Sequence, residues 1–225
     1  MIITNESIDE MKKKLVIAEE IIESDLADKL NSIGFECIRC GECCRSVSGD
    51  NRVVVFPVEV ENIIKTKKLN WNDVCKPSKP MFIDETGMLH AFEWELNRHE
   101  SGDCVFLNNN INTCKIYDQR PWICRTYPFY LVFENRNQKP NLMVSDCQGC
   151  GGSITGNEAL DLAILLKMRL VEEIREEVQV FEHLKNYDDW NLIIDYSQSG
   201  MNKKSRISVH DSCGTHICNN VRSFK

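Results

Sequence analysis

The chain has 225 residues, 42% of them hydrophobic and 27% charged, with a formal net charge of −7. That length suits one sizeable core, or one domain with helical appendages, and the composition is ordinary for a globular protein. The acidic balance repels a phosphate backbone and so argues against nucleic acid as a partner. The short basic runs KTKK at 65–68 and KKSR at 203–206 read as solvated faces.

In chain order, Ile8, Met11, Leu15, Ala18, Ile22, Leu26, Leu30 and Ile33 recur at three- and four-residue steps. This spacing predicts a single amphipathic helix of about seven turns, capped by Asn5 or Ser7 and stopped at Gly34. RVVVF at 52–56 predicts a strand, and Pro57 opens a helix over VEVENIIKTKK. Three hairpins follow: MFID with MLHAFEWEL, CVFL with TCKIY, and FYLVF with KPNLMVS. Thr155 and Glu158 have the form of a capping box for a helix reaching about Lys185. The first half of that helix (ALDLAILLKM) is apolar nearly all round and is expected to be buried. Its second half narrows to a stripe of Val171, Ile174, Val178 and Phe181. Beyond Tyr187 order fades, and residues 191–225 read as a polar tail.

The cysteines carry the chemistry. Cys37, Cys40, Cys43 and Cys44 fall within eight residues, and Cys104, Cys114, Cys124, Cys147 and Cys150 follow. No signal peptide is read in MIITNESIDEMKKK, and no apolar run approaches the ~18 residues of a membrane span. No membrane partner is therefore expected, and the cytoplasm is the expected compartment, where thiols stay reduced and free to bind metal. Cys37, Cys40 and Cys43 have the Cys-x2-Cys-x2-Cys spacing with which bacterial ferredoxins hold three corners of a [4Fe–4S] cube. Cys37/Cys40/Gly41 and Cys147/Cys150/Gly151 each form a Cys-x2-Cys-Gly knuckle, and a pair of knuckles can equally make a zinc site. The neighbouring side chains of Cys43 and Cys44 are expected to diverge. A single small zinc would then not take both, which favours a [4Fe–4S] cluster, with zinc as the close alternative. On this reading Cys37, Cys40 and Cys43 share a centre, Cys44 serves a second centre or packs beside the first, and the Cys147/Cys150 knuckle completes either group. Cys75 stands alone and reads as a core residue. His210, Cys213, His216 and Cys218 sit within nine residues, and a polar tail is favoured there over a second metal site.

FECIRCGECCR, CVFLNNNINTCKIYDQRPWICRTYPF and CQGCGG together resemble the YkgJ-type cysteine-cluster family of zinc- or iron-chelating domains. The resemblance covers roughly residues 35–152. It implies chelation by Cys37, Cys40, Cys43, Cys44, Cys104, Cys114, Cys124, Cys147 and Cys150. Flagellin lysine-N-methylases carry a similar cysteine pattern, so methylation of protein lysines is implied as a related activity. Against that activity, no Gly-x-Gly follows a clean strand in a βαβ unit.

Arg39, Arg45, Arg120 and Arg125 flank the thiols, either to offset their charge or as surface residues of the same loops, while Trp122, Tyr127 and Phe129 read as an apolar shell. The fold expected is α+β: a small cysteine-rich, metal-stapled domain of short antiparallel strands and turns, flanked by long N- and C-terminal amphipathic helices. Its divisions are a helix at 1–34, the metal-binding domain at 35–152, a helical segment at 153–190 and the tail at 191–225. The function expected is a metal-binding protein with an accessory redox, sensing or maturation role. Its alternatives are an S-adenosylmethionine-dependent protein lysine methylase and a zinc-stapled interaction module. The helical flanks are the expected docking surface for another protein.

Overall fold

The structure, a computed structural model, describes residues 5–45, 52–80, 82–84, 86–134, 139–185 and 205–221. Its helices and strands begin with α1 (Asn5–Glu19), α2 (Glu23–Ile33), β1 (Val54–Val55), α3 (Pro57–Lys67) and α4 (Trp71–Val74). β2 (Cys75–Pro77), β3 (Phe82–Ile83), β4 (Leu89–Ala91) and β5 (Trp94–Leu96) follow. Next come β6 (Leu107–Asn108), β7 (Thr113–Cys114), α5 (Trp122–Thr126), β8 (Phe129–Val132) and β9 (Asn141–Val144). The chain then forms α6 (Gly156–Leu184), β10 (Ser205–Asp211) and β11 (Gly214–Val221). Long helices at either side of short, mostly antiparallel strands make this the α+β arrangement read from the sequence.

Two compact units divide the chain. One holds residues 1–9, 52–97 and 176–225; the other holds residues 10–51 and 98–175. In the first unit β1, β5 and β2 form a three-stranded antiparallel sheet. A second sheet has the order β11-β10-β4-β3, in which β10 runs parallel to β4 and pairs Ile207 with Leu89 and Val209 with Ala91. Pro57 opens α3 as expected, since the N–H it lacks has no helical partner in the first turn.

In the second unit α2, β8 and the first half of α6 surround a core of Leu26, Ala27, Leu30, Phe129, Ala159, Ala163 and Leu166. Phe35 meets Phe129 edge to face at 5.6 Å. β6 pairs with β7 and β8 with β9, both antiparallel. The capping box at the start of α6 is formed in full: Thr155 N–H donates to Glu158 Oε2, and Glu158 N–H donates to Thr155 Oγ1.

Three expectations need correction. The single N-terminal helix is two, because Ile22 is extended at φ −87°, ψ 113°. The Ile21 carbonyl accepts from Lys167 Nζ at 2.8 Å instead of from a helical N–H, and the same ammonium binds Glu23 at 2.8 Å. Glu23 and Asp25 then suit the N-terminal end of α2. Secondly, the first half of α6 is not buried all round: Leu160, Ile164 and Met168, at i, i+4 and i+8, are exposed. Thirdly, the stretch read as a polar tail contains the β10–β11 hairpin, in which Ile207 and Val209 are fully buried. The remainder of that stretch, 191–204 and 222–225, lies outside the described residues.

Leu30 is completely buried at the centre of the second unit's core. Leu30→Ala should therefore lower unfolding free energy by about 3 kcal/mol, through lost transfer energy and the cavity left behind. Denaturant titration measures this; a loss below about 1 kcal/mol would mean that α2 does not anchor that core.

Candidate metal centre

All nine clustered cysteines belong to the second unit, and all are free thiols. The segment leaving α2 runs beside the turn at 147–152. Phe35 and Cys150 form an antiparallel bridge, Glu36 N–H donates to Gly149 O at 3.0 Å, and Gly151 N–H donates to Gly34 O at 3.0 Å. These bonds lay the knuckle of Cys37 and Cys40 alongside that of Cys147 and Cys150. Both knuckles turn as their sequence requires, with Gly41 at φ 76° and Gly151 at φ 81°, where a side chain is strained. The approach is so close that a Cβ at Gly149 would lie 2.4 Å from the Glu36 carbonyl oxygen. Gln148 Nε2 donates to Glu42 Oε1 at 3.2 Å across the same junction.

The Cys147 thiol is pushed up by burial, and the Cys150, Cys40 and Cys43 thiolates act in the same direction. The N–H of Gly149 opposes them by donating to the Cys147 sulfur. A backbone donor aimed at a cysteine sulfur within a knuckle is the arrangement that stabilises a metal-bound thiolate.

A second group forms where the 3₁₀ turn Glu42–Cys44 meets the segment around Cys104. Cys104 N–H donates to Cys44 O at 2.8 Å, and Arg98 Nη1 donates to Gly102 O at 2.7 Å and to Cys44 O at 3.4 Å. The Cys43 and Cys44 sulfurs lie 3.9 Å apart. This overturns the expectation that the two side chains diverge, because the tight turn brings neighbouring Cβ atoms to one side. Thiolates on one tetrahedral zinc, with Zn–S of about 2.3 Å, sit roughly 3.8 Å from each other. The separation therefore suits a shared ion.

A hydrogen bond with Cys44 lowers the Cys43 thiol against the opposing effect of burial, and Arg120 and Arg98 lower it further. Cys44 is correspondingly raised, by its bond to Cys43, by burial, and by the charges of Cys43, Cys104 and Cys124. Burial pushes up Cys124, with Cys104, Cys43 and Cys114 adding to it. Cys104 is raised by burial while the N–H of Phe106 donates to its sulfur, and Cys114 and Cys43 act on it. Cys43, Cys44, Cys104, Cys114 and Cys124 thus form one electrostatically linked set. Tyr127, raised by burial and by Cys147, Cys43, Cys150 and Cys40, has its phenol near both groups.

Among the described residues no three His, Cys, Asp or Glu side chains converge on one point in the geometry of a bound ion. The donor chemistry nevertheless fits zinc or iron: reduced thiols in two local groups, with backbone N–H donors on Cys104 and Cys147 and guanidinium charge near Cys43.

Of the flanking arginines, Arg120 serves as expected by lowering Cys43. Arg39 and Arg120 both lie over the Tyr117 ring, at 4.9 and 3.7 Å from its centroid. Arg45 instead braces the loop, donating to Cys40 O at 3.2 Å and to Asn112. Arg125 is exposed. Arg98 escaped the sequence reading because it precedes Cys104 by six residues, with no pattern to mark it. Phe129 is a core residue as expected, and Tyr127 donates its hydroxyl to Asp146 O at 2.8 Å. Cys75 is buried, its thiol raised by burial. His210, Cys213, His216 and Cys218 lie on or beside the turn of the C-terminal hairpin, where His210 and His216 are engaged in hydrogen bonds.

Two facing knuckles and a linked set of thiols define a cysteine-rich metal-chelating domain. Residues 36–151 match the CxxCxxCC family, "Putative zinc- or iron-chelating domain", and the chain belongs to that family. It is 30% identical over 106 residues to an uncharacterized protein of Methanocaldococcus jannaschii, covering 47% of this chain. The chain spans about half the length of that curated relative. No solved structure matches. No helix among the described residues is long and apolar enough to cross a membrane.

A methyl group at Gly149 would force the two knuckles apart. Gly149→Ala should therefore lower bound metal by about half while Cys104→Ser removes a different portion. Metal content by elemental analysis tests this, and full loading of Gly149→Ala would mean that the close approach is not needed.

Proposed function

We propose that this chain is a metal-chelating protein with two thiolate centres. One lies between Cys37/Cys40 and Cys147/Cys150, and the other lies among Cys43, Cys44, Cys104 and Cys124 with Cys114 at its edge. The observation that carries this reading is the backbone ladder joining the two knuckles, from Gly34 and Glu36 to Gly149 and Gly151. The contact of Cys43 with Cys44, whose carbonyl accepts from Cys104 N–H, supports placing Cys43 in the second set. In the first centre Cys37, Cys40, Cys147 and Cys150 would hold the metal; the chain's part is to fix two turns at Gly41 and Gly151 and to aim the Gly149 N–H at the Cys147 sulfur. In the second, the chain offsets thiolate charge through Arg98 and Arg120.

For identity, the 3.9 Å between Cys43 and Cys44 favours a single ion held by both. Cube ligands bind separate irons and sit wider apart. A [4Fe–4S] cluster is the second reading, supported by the Cys-x2-Cys-x2-Cys spacing of Cys37, Cys40 and Cys43. An accessory role in electron transfer, redox sensing or maturation of another enzyme suits ligands such as Cys37 and Cys43 that reach the surface.

Anaerobically purified protein should contain two metal equivalents per chain and no acid-labile sulfide. Cys40→Ser and Cys104→Ser should each remove about one equivalent, and Cys75→Ser none. Stoichiometric sulfide with a broad absorbance near 400 nm that bleaches on reduction would replace two single ions by a cluster. Complete loss of metal in both ligand variants would replace two centres by one.

Chelation should also loosen the second unit, since metal affinity and folding are linked where the ligands form only in the folded state. Hydrogen exchange should show lost protection around β6–β7 and the knuckles, with the sheet of β1, β5 and β2 retained. Unchanged protection after complete metal removal would show that the thiols decorate an independently stable fold.

A further inference from the structure

In the first unit, outside the thiol groups, four polar side chains form a continuous hydrogen-bonded chain across the second sheet. Asp84, at the end of β3, accepts at Oδ1 from the N–H groups of Thr86 and Met88 and from the Thr86 hydroxyl. Its other oxygen lies 3.2 Å from His90 Nε2 on β4. His90 Nδ1 lies 2.8 Å from His210 Nε2 on β10, and His210 Nδ1 lies 3.1 Å from Thr215 Oγ1 on β11. Both imidazoles are buried, whereas Thr215 is exposed.

We propose that this Thr215–His210–His90–Asp84 chain is an acid-sensitive latch holding the C-terminal hairpin on β4, and that protonation of His210 opens it.

The direction of each bond follows from Asp84. Burial acts to raise its carboxyl, but the Thr86 hydroxyl, the Met88 N–H and His90 outweigh it and hold the group low, hence ionised. An ionised Asp84 can only accept, so His90 carries its proton on Nε2. In neutral His90 the Nδ1 lone pair then accepts from His210 Nε2–H, and His210 Nδ1 accepts from the Thr215 hydroxyl. A proton added to His210 puts a positive charge on a buried ring whose two nitrogens already face His90 and Thr215, neither of them a carboxylate.

The surroundings reinforce this. His210 is lowered to about 4 from 6.5, first by burial and then by His90, with His183 of α6 and His216 of β11 acting in the same direction. Asp211 opposes them, yet its charge is already answered by three donors. Trp94 Nε1 donates to Oδ2, and Cys213 N–H and His216 Nε2 lie against Oδ1, at 2.8, 2.9 and 3.0 Å. Phe92 stacks on the His210 ring at 5.6 Å, excluding water from that face. In the open hairpin His210 regains its ordinary value. Opening therefore takes up one proton between pH 6.5 and about 4, and the closed state loses stability as pH falls through that window.

Amide hydrogen exchange across pH, corrected for intrinsic exchange chemistry, tests the latch in the full chain. Opening of β10 and β11 should rise by about tenfold per pH unit below 6.5, while β8 and β9 stay protected. His210→Gln, which can still donate to His90 but does not titrate there, should flatten that slope. A β10 protection independent of pH in the natural chain, or the same slope in His210→Gln, would overturn the proposal. If His210→Gln opens the hairpin at every pH, the His210 ring signal of the natural chain decides by NMR. Titration near 4 together with opening supports the latch, and titration near 6.5 with the hairpin still protected overturns it.

Discussion

Two backbones can lie within hydrogen-bonding distance only where side chains leave room, and at Glu36 and Gly149 the room is a missing Cβ. From this approach the rest of the candidate centre follows. The stop of α2 at Gly34 delivers the chain to the turn, and Gly151 N–H and Glu36 N–H bond across it. The pairing of Phe35 with Cys150 then sets the register of the two knuckles. Phe35 joins this contact to the core by meeting Phe129 edge to face. Apolar packing of α2, β8 and α6 thus orients a junction whose own residues are polar, small or thiol-bearing. Each thiol in such a junction can be short of hydrophobic partners and still be held in place.

The hairpins of this protein were legible because strand and turn signals were local. Asn and Gly residues interrupt alternating apolar runs between β6 and β7 and between β3 and β4. The start of α6 was legible for the same reason, as Thr155 and Glu158 satisfy each other within one turn. What escaped was fixed by distant partners. Helical periodicity runs unbroken through Ile21 and Ile22, and the break depends on a lysine 146 residues away. The C-terminal hairpin was obscured by its polar content. Ser208, His210 and Asp211 are buried there because β4, His90 and Trp94 pair with them, and hydropathy alone gives no hint of such partners.

The cysteines show the same division between local and distant information. Spacing identified both knuckles and the glycine conformations they need. It also grouped Cys43 with Cys37 and Cys40; in the folded chain Cys43 lies against Cys44 and acts on Cys104 and Cys124, and on Cys147 as well. Cys43 and Cys44 both lie in the 3₁₀ turn that follows Gly41. Ligand spacing therefore reports which thiols are close along the chain, and the turn type decides which of them look towards the same point.

Charge gives the second group a character that sequence spacing cannot. Five thiols in one electrostatic set cannot all ionise unaided: burial raises Cys104 and Cys124, the bond to Cys43 raises Cys44, and the neighbouring thiol charges add to each. Arg98 and Arg120 favour ionisation at Cys43 first. A cation of charge two would relieve the remainder, since binding requires the thiolate form and displaces the protons that burial now retains. The first group needs less of this help, because none of its thiols is buried whereas Cys104 of the second is. If the two groups bind metal as proposed, binding by the second should therefore depend on pH more steeply than binding by the first.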